Sequence, residues 1–198
     1  MSNTKSDYKE DLEKVTVVFE TNLGTFEGEL FAKECPETVW NFINLAEGRQ
    51  KTDRPGNFYD GLIFHRVIDG FMAQTGDVQN GVMGGDLSRA GTGGSDLGNI
   101  PAEFSDLPFE RGVVGMARSQ NPNSANSQFF IMFEPGYFLN GQYTVVGAVT
   151  AGMDIVDAIK RTNDARFAAA GTEHSAPGGF RRLDAVADDP TARDLGQR

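Results

Sequence analysis

Apolar and polar residues alternate in the first part of the chain. The alternation begins at Val15 in VTVVFE and returns in TFEGELF. Between these stretches, Asn22 and Gly24 supply residue types that favour a tight reversal of the backbone. Since successive side chains of a strand point to opposite faces, this period of two predicts a pair of antiparallel strands with one buried face.

The period changes to a helical one in the next segment, CPETVWNFINLAEG. Pro36 suits a first helical turn because the missing N–H has no partner there in any case. Gly48 is a natural residue to end a helix. The apolar positions between them recur at helical spacing; they are Val39, Phe42, Ile43 and Ala46. The segment therefore predicts an α-helix.

Short apolar stretches that predict strands dominate the rest of the chain. They are GLIFHRVI, FMAQTGD, RGVVGMA, SQFFIMF, YTVVGAVT and FRRLDAV. MDIVDAIKR predicts a short helix. The glycine-rich residues 76–98 predict a long surface loop, of a length typical of functional or mobile loops. Many short strands, few helices and no alternation of strands with helices favour an all-β fold, either a sheet, a sandwich or a barrel.

The length of 198 residues favours one domain with a sizeable core. We expect this domain to extend over residues 15–187, with an irregular insertion at 162–179. Residues 1–14 and 188–198 are polar, and we expect them to form a flexible lead-in and a flexible tail.

The net charge of −10 narrows the choice of partners. An acidic surface repels phosphate backbones and anionic lipids, so we expect neither nucleic acid nor membranes as partners. The first residues also lack the apolar core of a signal peptide, and this favours a cytoplasmic location. Cys35 is the single cysteine, so no disulfide forms within the chain, and we expect a buried, inert thiol.

Few residues are available for acid–base or metal chemistry. The only histidines are His65 and His174, far apart in the chain, so a structural zinc site is not expected. His65 lies between Phe64 and Arg66, where a hydrogen-bonded core histidine is more common than a general base. The glycine cluster GVMGGDLSRAGTGG lacks the Lys-Ser or Lys-Thr ending of a phosphate-binding loop. We expect no cofactor and no metal, which leaves reactions such as rotation about a peptide bond.

Three long motifs carry a resemblance to a known family. They are FHRVIDGFMAQTGD at 64–77, MARSQNPNSANSQFFI at 116–131 and FLNGQYTVVGAV at 138–149. In this order they resemble the signatures of cyclophilins in their bacterial form, and the similarity extends over roughly residues 15–161. The resemblance implies an eight-stranded antiparallel closed β-barrel capped by two α-helices. It also implies a peptidyl-prolyl cis/trans isomerase that accelerates rotation about Xaa-Pro bonds during protein folding.

The resemblance carries site residues over position by position. The residues expected to be catalytic are Arg66, Gln74 and Gln128. Those expected to bind substrate are Phe71, Met72, Ala117, Arg118, Ser119, Phe130, Phe138, Leu139 and Tyr143. Taken singly, the apolar members of this set would be core residues and Arg66 a surface charge. Only their joint occurrence in the matching motifs favours a functional interpretation.

Four positions depart from the common family pattern. Phe138 stands where many members have a tryptophan, whose indole N–H donates to cyclosporin, so we expect weak cyclosporin binding. Tyr143 replaces a common histidine, while Arg118 and Ser119 replace Asn and Ala. The last two changes are expected to alter the preference for residues near the proline.

The expected partners are proline-containing peptides and unfolded or nascent proteins, bound by a monomer. A different class of function is also compatible with the same substrate-binding residues. A non-catalytic proline-peptide binding module or chaperone would use the same apolar residues without turnover. The intact Arg66 favours the enzyme.

Overall fold

The computed structural model describes residues 15–49, 52, 58–82, 85–162 and 180–187. The predicted lead-in 1–14, the tail 188–198 and most of the predicted insertion, residues 163–179, lie outside the described residues. Within them, two helices and a set of short strands alternate with long connections. The helices are α1 (Pro36–Ala46) and α2 (Met153–Thr162). The strands are β1 (Val15–Thr21), β2 (Gly24–Leu30), β3 (Arg66–Ile68), β4 (Met72–Thr75), β5 (Val113–Met116), β6 (Phe129–Met132), β7 (Val145–Ala151) and β8 (Phe180–Ala187).

All of these strands belong to one sheet, in the order β3-β4-β6-β5-β7-β2-β1-β8. Every pairing between neighbours is antiparallel. Thr21 pairs with Gly24, so Asn22 and Leu23 form the two-residue turn that the alternation predicted. Gly24 has a φ of 138°, a conformation that glycine adopts without steric cost.

The expectation of a mostly β fold with two helices is confirmed. The observed pairings do not show the predicted closure of the sheet into a barrel. β3 and β8 lie at the two ends of the strand order, and no ladder joins them among the described residues. The sheet is therefore described as one curved antiparallel layer, which carries the site on the side of β4, β6 and β5.

Helix α1 begins and ends where the sequence predicted. Pro36 occupies its first turn, and Gly48, the second residue after its carboxyl end, has a φ of 66°. Cys35, at the amino-terminal cap, accepts no hydrogen bond from the first N–H groups of the helix with its side chain. Instead the Glu103 carboxylate accepts the Thr38 N–H at 2.8 Å and the Thr38 hydroxyl at 2.7 Å. No helix in the described part of the chain is both long and apolar enough to cross a bilayer.

Strand β6 separates two groups of buried apolar side chains. Phe129 and Ile131 pack into the main core, whereas Phe130 and Met132 pack into a smaller cluster on the other face. Because successive side chains alternate between the faces, both faces of the run FFIM are apolar and covered. The full membership of the smaller cluster, called here the outer cluster, is Met72, Phe109, Val113, Phe130, Met132, Leu139 and Val145.

The Cys35 thiol is buried, as expected from the sequence. It donates to the carbonyl oxygens of Phe31 and Val145, both at 3.3 Å. Burial, with Glu103 and Glu34 nearby, raises the pKa of this thiol far above its usual range. A protonated, hydrogen-bonded thiol of this kind is unreactive.

Candidate active site

A pocket of about 440 Å³ opens above the outer cluster. Nine of the twelve residues assigned to the site from the sequence line this one pocket. They are Arg66, Phe71, Met72, Gln74, Ala117, Arg118, Phe130, Leu139 and Tyr143. The structure thus brings together residues from three separate motifs. We call this cavity the apolar pocket.

The floor of the apolar pocket consists of side chains from the outer cluster. Met72, Phe130 and Leu139 are at least 93% buried. The Tyr143 ring meets Phe130 edge to face, with ring centroids 5.9 Å apart and planes 85° apart. Such an aromatic floor excludes water and fits a small apolar ring.

Arg66 stands at the rim of this pocket, at the first position of β3. It pairs with Gln74 in the β3–β4 ladder, so both residues are in register on neighbouring strands. The side chain is exposed, and within the described ranges no hydrogen bond or ion pair holds its guanidinium. A charged group whose five N–H donors have no acceptor among the described residues therefore lies beside the apolar floor of the pocket.

The two glutamines form a short hydrogen-bonded chain. The Gln74 amide donates to the Gln128 carboxamide oxygen at 2.9 Å, and the Gln128 amide donates to the Gly93 carbonyl at 2.5 Å. The structure joins them to each other and to the glycine-rich loop, because Gln74 lies on β4 and Gln128 immediately precedes the neighbouring strand β6, two residues before Phe130, the partner of Gln74.

A second cavity, of about 350 Å³, lies next to the apolar pocket. We call it the polar pocket, because hydroxyl and carboxamide side chains line it. Ser119 and Gln128, two of the three assigned residues missing from the apolar pocket, lie here. Five residues line both cavities and form the boundary between them; they are Gln74, Gly91, Thr92, Ala117 and Arg118.

Phe138 lies outside both cavities and is 72% exposed. Its ring centroid is 5.6 Å from that of Phe71. This aromatic pair extends the apolar surface beyond the rim of the pocket. Phe138 occupies a short 3-10 turn, Tyr137–Leu139, whose last residue reaches back to the pocket floor.

The sequence motifs assigned no residue of one wall of the site, the glycine-rich loop. From this loop Ala90, Gly91 and Thr92 line the apolar pocket, and His65 lines it from the segment before β3. The unusual length of the predicted loop over 76–98 was the signal that could have found this wall.

Asp77 holds that loop in place. Its buried carboxylate accepts the N–H groups of Gln79 and Asn80 on one oxygen and those of Gly91 and Gly93 on the other, at 2.7 to 3.1 Å. Burial alone would raise the pKa of Asp77. These backbone donors and the nearby His65 outweigh burial, so its pKa lies below the ordinary value.

His65 differs from the expected hydrogen-bonded core histidine. Its side chain is partly buried, and neither ring nitrogen has a hydrogen-bond partner in the part of the chain that the structure describes. The reason is that the residue faces the apolar pocket beside Gly91 rather than the main core. Burial lowers the pKa of the ring, which favours the neutral imidazole.

Comparisons with known proteins identify a family to which the chain is similar. Residues 16–174 match a family model described as "Cyclophilin type peptidyl-prolyl cis-trans isomerase/CLD". A "Probable peptidyl-prolyl cis-trans isomerase" of Brucella abortus is 69% identical over 109 residues, which cover 54% of this chain and 56% of that protein. The chain thus spans about half the length of this relative.

Two further similarities extend over more of the chain. A "Peptidyl-prolyl cis-trans isomerase-like 1" of Aspergillus fumigatus is 36% identical over 144 residues, 71% of this chain and 78% of that protein. A crystal structure of a Cryptosporidium parvum cyclophilin type peptidyl-prolyl cis-trans isomerase, determined in the presence of the dipeptide Ala-Pro, has a TM-score of 0.65 and 27% identity. That similarity covers 88% of this chain and 99% of the other.

Proposed function

This chain belongs to the cyclophilin-type peptidyl-prolyl cis-trans isomerase family, and from this premise we propose that it accelerates rotation about Xaa-Pro bonds. One observation carries the proposal. An arginine that the described residues leave without a partner stands at the rim of a pocket whose floor is apolar and aromatic. The reaction needs both parts, a cation that stabilises the twisted amide and an apolar pocket that holds the proline ring.

The chemistry to be catalysed requires no nucleophile, acid or base. The barrier to rotation about a prolyl bond is about 18–20 kcal/mol, because resonance gives the C–N bond partial double-bond character. Any interaction that returns the lone pair to nitrogen, or that favours the twisted geometry, lowers this barrier. An acceleration on the order of 10⁵ needs about 7 kcal/mol of binding that is stronger in the twisted state.

Arg66 supplies the electrostatic part of this stabilisation. A guanidinium stays charged at every working pH and presents several donors in a fixed plane. Directed at the proline nitrogen and the neighbouring carbonyl, it favours the twisted amide over the planar one. The absence of a carboxylate partner among the described residues supports this role, since the charge is not already neutralised.

The apolar floor supplies the anchor. If the proline ring is held by Met72, Phe130, Leu139 and Tyr143, the preceding carbonyl is the part that rotates. Holding one half of the substrate while the other half turns keeps the rotating amide oriented towards Arg66. The Gln74–Gln128 chain fixes the boundary wall, against which the peptide backbone lies.

We infer that the substrates are proline-containing peptides and unfolded chains. The related structure determined in the presence of Ala-Pro supports this class of ligand. A role in protein folding, a monomeric state and a cytoplasmic location are part of the same proposal. The acidic composition, with a net charge of −10, agrees with a protein that avoids nucleic acids and anionic membranes.

We also propose that the curved sheet closes into the eight-stranded barrel of the family. The strand order leaves β3 and β8 as the two ends, which are the strands that closure would bring together. Hydrogen exchange tests this: closure predicts slow exchange of the outward amides of Arg66–Ile68. Rapid exchange of these amides would indicate an open edge.

An exchange measurement distinguishes the enzyme from a binding module with the same groove. Magnetisation transfer by NMR reports cis/trans interconversion in a short Ala-Pro-containing peptide with a catalytic amount of protein. We expect wild-type protein to accelerate interconversion and Arg66→Ala to lose most of that acceleration, while both bind the peptide. If wild type binds without accelerating exchange, the binding-module interpretation replaces the enzyme.

A further inference from the structure

Arg118 lies at the boundary between the two pockets, and backbone carbonyls take up its donors. Its Nε and Nη2 donate to the Gln142 carbonyl at 3.1 and 2.6 Å. Its Nη1 donates to the carbonyls of Ser119 and Gln120 at 2.9 and 3.3 Å. A guanidinium has five N–H groups, so one is left for any other partner.

The same guanidinium covers an aromatic face. Its Cζ lies 4.5 Å from the centroid of the Tyr143 ring, a distance at which a cation is attracted by the ring quadrupole. Arg118 therefore fixes Tyr143 in two ways. It bonds the carbonyl of the peptide group that precedes Tyr143, and it packs on the ring itself.

Tyr143 lies just before the strand that follows it in the chain. The sequence predicted a strand over 143–150, but β7 begins at Val145. At Gln142 the carbonyl is taken by Arg118 instead of by a neighbouring strand. The backbone on either side of Tyr143 is held by the Gln142 N–H, which donates to the Leu139 carbonyl at 3.0 Å, and by the Thr144 carbonyl, which accepts the Met116 N–H at 3.0 Å. Arg118 adds a contact to the ring itself.

The ring so held is part of the floor of the apolar pocket. It meets Phe130 edge to face, and Phe130 in turn stacks on Phe109 at a centroid distance of 5.8 Å. Phe130 and Phe109 are at least 95% buried, so this pair is fixed by packing. Tyr143 is the outermost ring of the row, with Arg118 on its outer side.

We propose that Arg118 is a positioning residue for prolyl isomerisation, which holds the Tyr143 ring against Phe130 and acts on the bound proline only through that ring. This inference rests on the proposed function. It differs from the expectation that Arg118 binds substrate directly. Four of the five N–H groups of Arg118 already donate to backbone carbonyls, and its guanidinium already packs on the Tyr143 ring.

A double-mutant cycle tests the route of action. We expect Arg118→Gln to raise KM about tenfold with kcat changed less than about twofold, a coupling within the range measured for residues in contact. In a Tyr143→Ala background, Arg118→Gln has no further effect on KM. Arg118→Lys restores part of the loss, because an ammonium keeps the charge over the ring but lacks the planar fork. Effects that multiply in the double variant would overturn the proposal.

A pair of peptides tests direct charge recognition. Peptides that carry Glu or Gln beside the Xaa-Pro unit are compared in wild type and Arg118→Gln. The proposal predicts an equal loss of kcat/KM for both peptides. A loss that is larger for the Glu peptide would show that Arg118 contacts the substrate itself, and would overturn the proposal.

An NMR measurement separates this inference from the proposed function. The Tyr143 ring resonances are compared in wild type and Arg118→Gln without peptide, after circular dichroism has verified the fold of the variant. We expect a changed shift and faster flipping of the Tyr143 ring, with the Phe109 ring unchanged. An unchanged Tyr143 signal contradicts the inference, even in an active enzyme. Absence of isomerase activity in wild type contradicts only the proposed function. In that case the double-mutant cycle is measured with the dissociation constant of the peptide in place of KM.

Discussion

Three arginines of this chain differ in what holds them, and the difference separates their roles. Arg111 forms a bidentate pair with Asp157 at 2.9 and 2.6 Å and ties the sheet to α2. Arg118 donates hydrogen bonds to backbone carbonyls. Within the part of the chain that the structure describes, Arg66 has no such partner. A guanidinium that the fold leaves unpaired keeps its charge available for a substrate.

At the same scale, Phe138 gives a prediction about inhibitors. Phenylalanine lacks the N–H donor that tryptophan offers, and one hydrogen bond contributes about 0.5–1.5 kcal/mol net. We expect weak inhibition of wild type by cyclosporin and inhibition about tenfold stronger in Phe138→Trp. Inhibition constants from the peptide exchange assay provide the measurement. Equal constants for the two proteins would remove Phe138 as the cause.

Among the elements, β5 and β6 shape the pocket through one glycine. Gly115 pairs with Phe130 in the β5–β6 ladder. A Cβ at Gly115 would lie 2.5 Å from the Phe130 ring and 2.6 Å from the Phe109 ring. These rings can approach the backbone of β5 only because this position lacks a side chain, so the depth of the apolar pocket depends on it.

We therefore expect Gly115→Ala to displace Phe130 and to reduce peptide binding. Overpacking of this kind costs about 1–3 kcal/mol of stability, and the pocket floor shifts with the ring. Gly98→Ala is the matched control, because nothing lies within 4 Å of a Cβ placed there. Urea unfolding and peptide titration measure both effects. Wild-type affinity in Gly115→Ala would show that the floor does not depend on this contact.

The hairpin and helix α1 could be predicted from sequence because each buries one face and leaves a regular period. Strand β6 gives no such period, since Phe129 and Phe130 are both buried on opposite faces. The motif resemblance supplied these site residues where periodicity could not. The loop wall at Gly91 and Thr92 depends on hydrogen bonds to Asp77 from residues 14 and 16 positions away. No local pattern encodes such a contact.

At the scale of the whole molecule, the Asp77 carboxylate makes the free energy of unfolding depend on pH. The pKa of Asp77 is lower in the folded protein than its ordinary value of 3.8. Its contribution to stability is therefore fully present above this value and is lost as the pH falls through the lower, folded pKa.

We expect Asp77→Asn to unfold at lower urea concentration than wild type at pH 6, because four N–H groups lose a charged acceptor. The difference narrows as the pH falls below 3.8, where the unfolded chain takes up its proton first, and it vanishes below the lower pKa of the folded protein. Asp106→Asn, an exposed residue, is the matched control. A difference that stays constant down to pH 2 would contradict the role given to the Asp77 charge.

In the proposed function, Arg66 lowers the barrier to rotation rather than merely binding the peptide. NMR line shapes at saturating protein give the interconversion rate on the enzyme and the dissociation constant separately. We expect Arg66→Ala to lower the on-enzyme rate about 100-fold, the scale of losing one preorganised donor, with affinity changed less than about threefold. Arg89→Ala, which removes an exposed arginine with the same change of charge, should leave both quantities unchanged. An unchanged on-enzyme rate with weakened binding in Arg66→Ala would contradict the account.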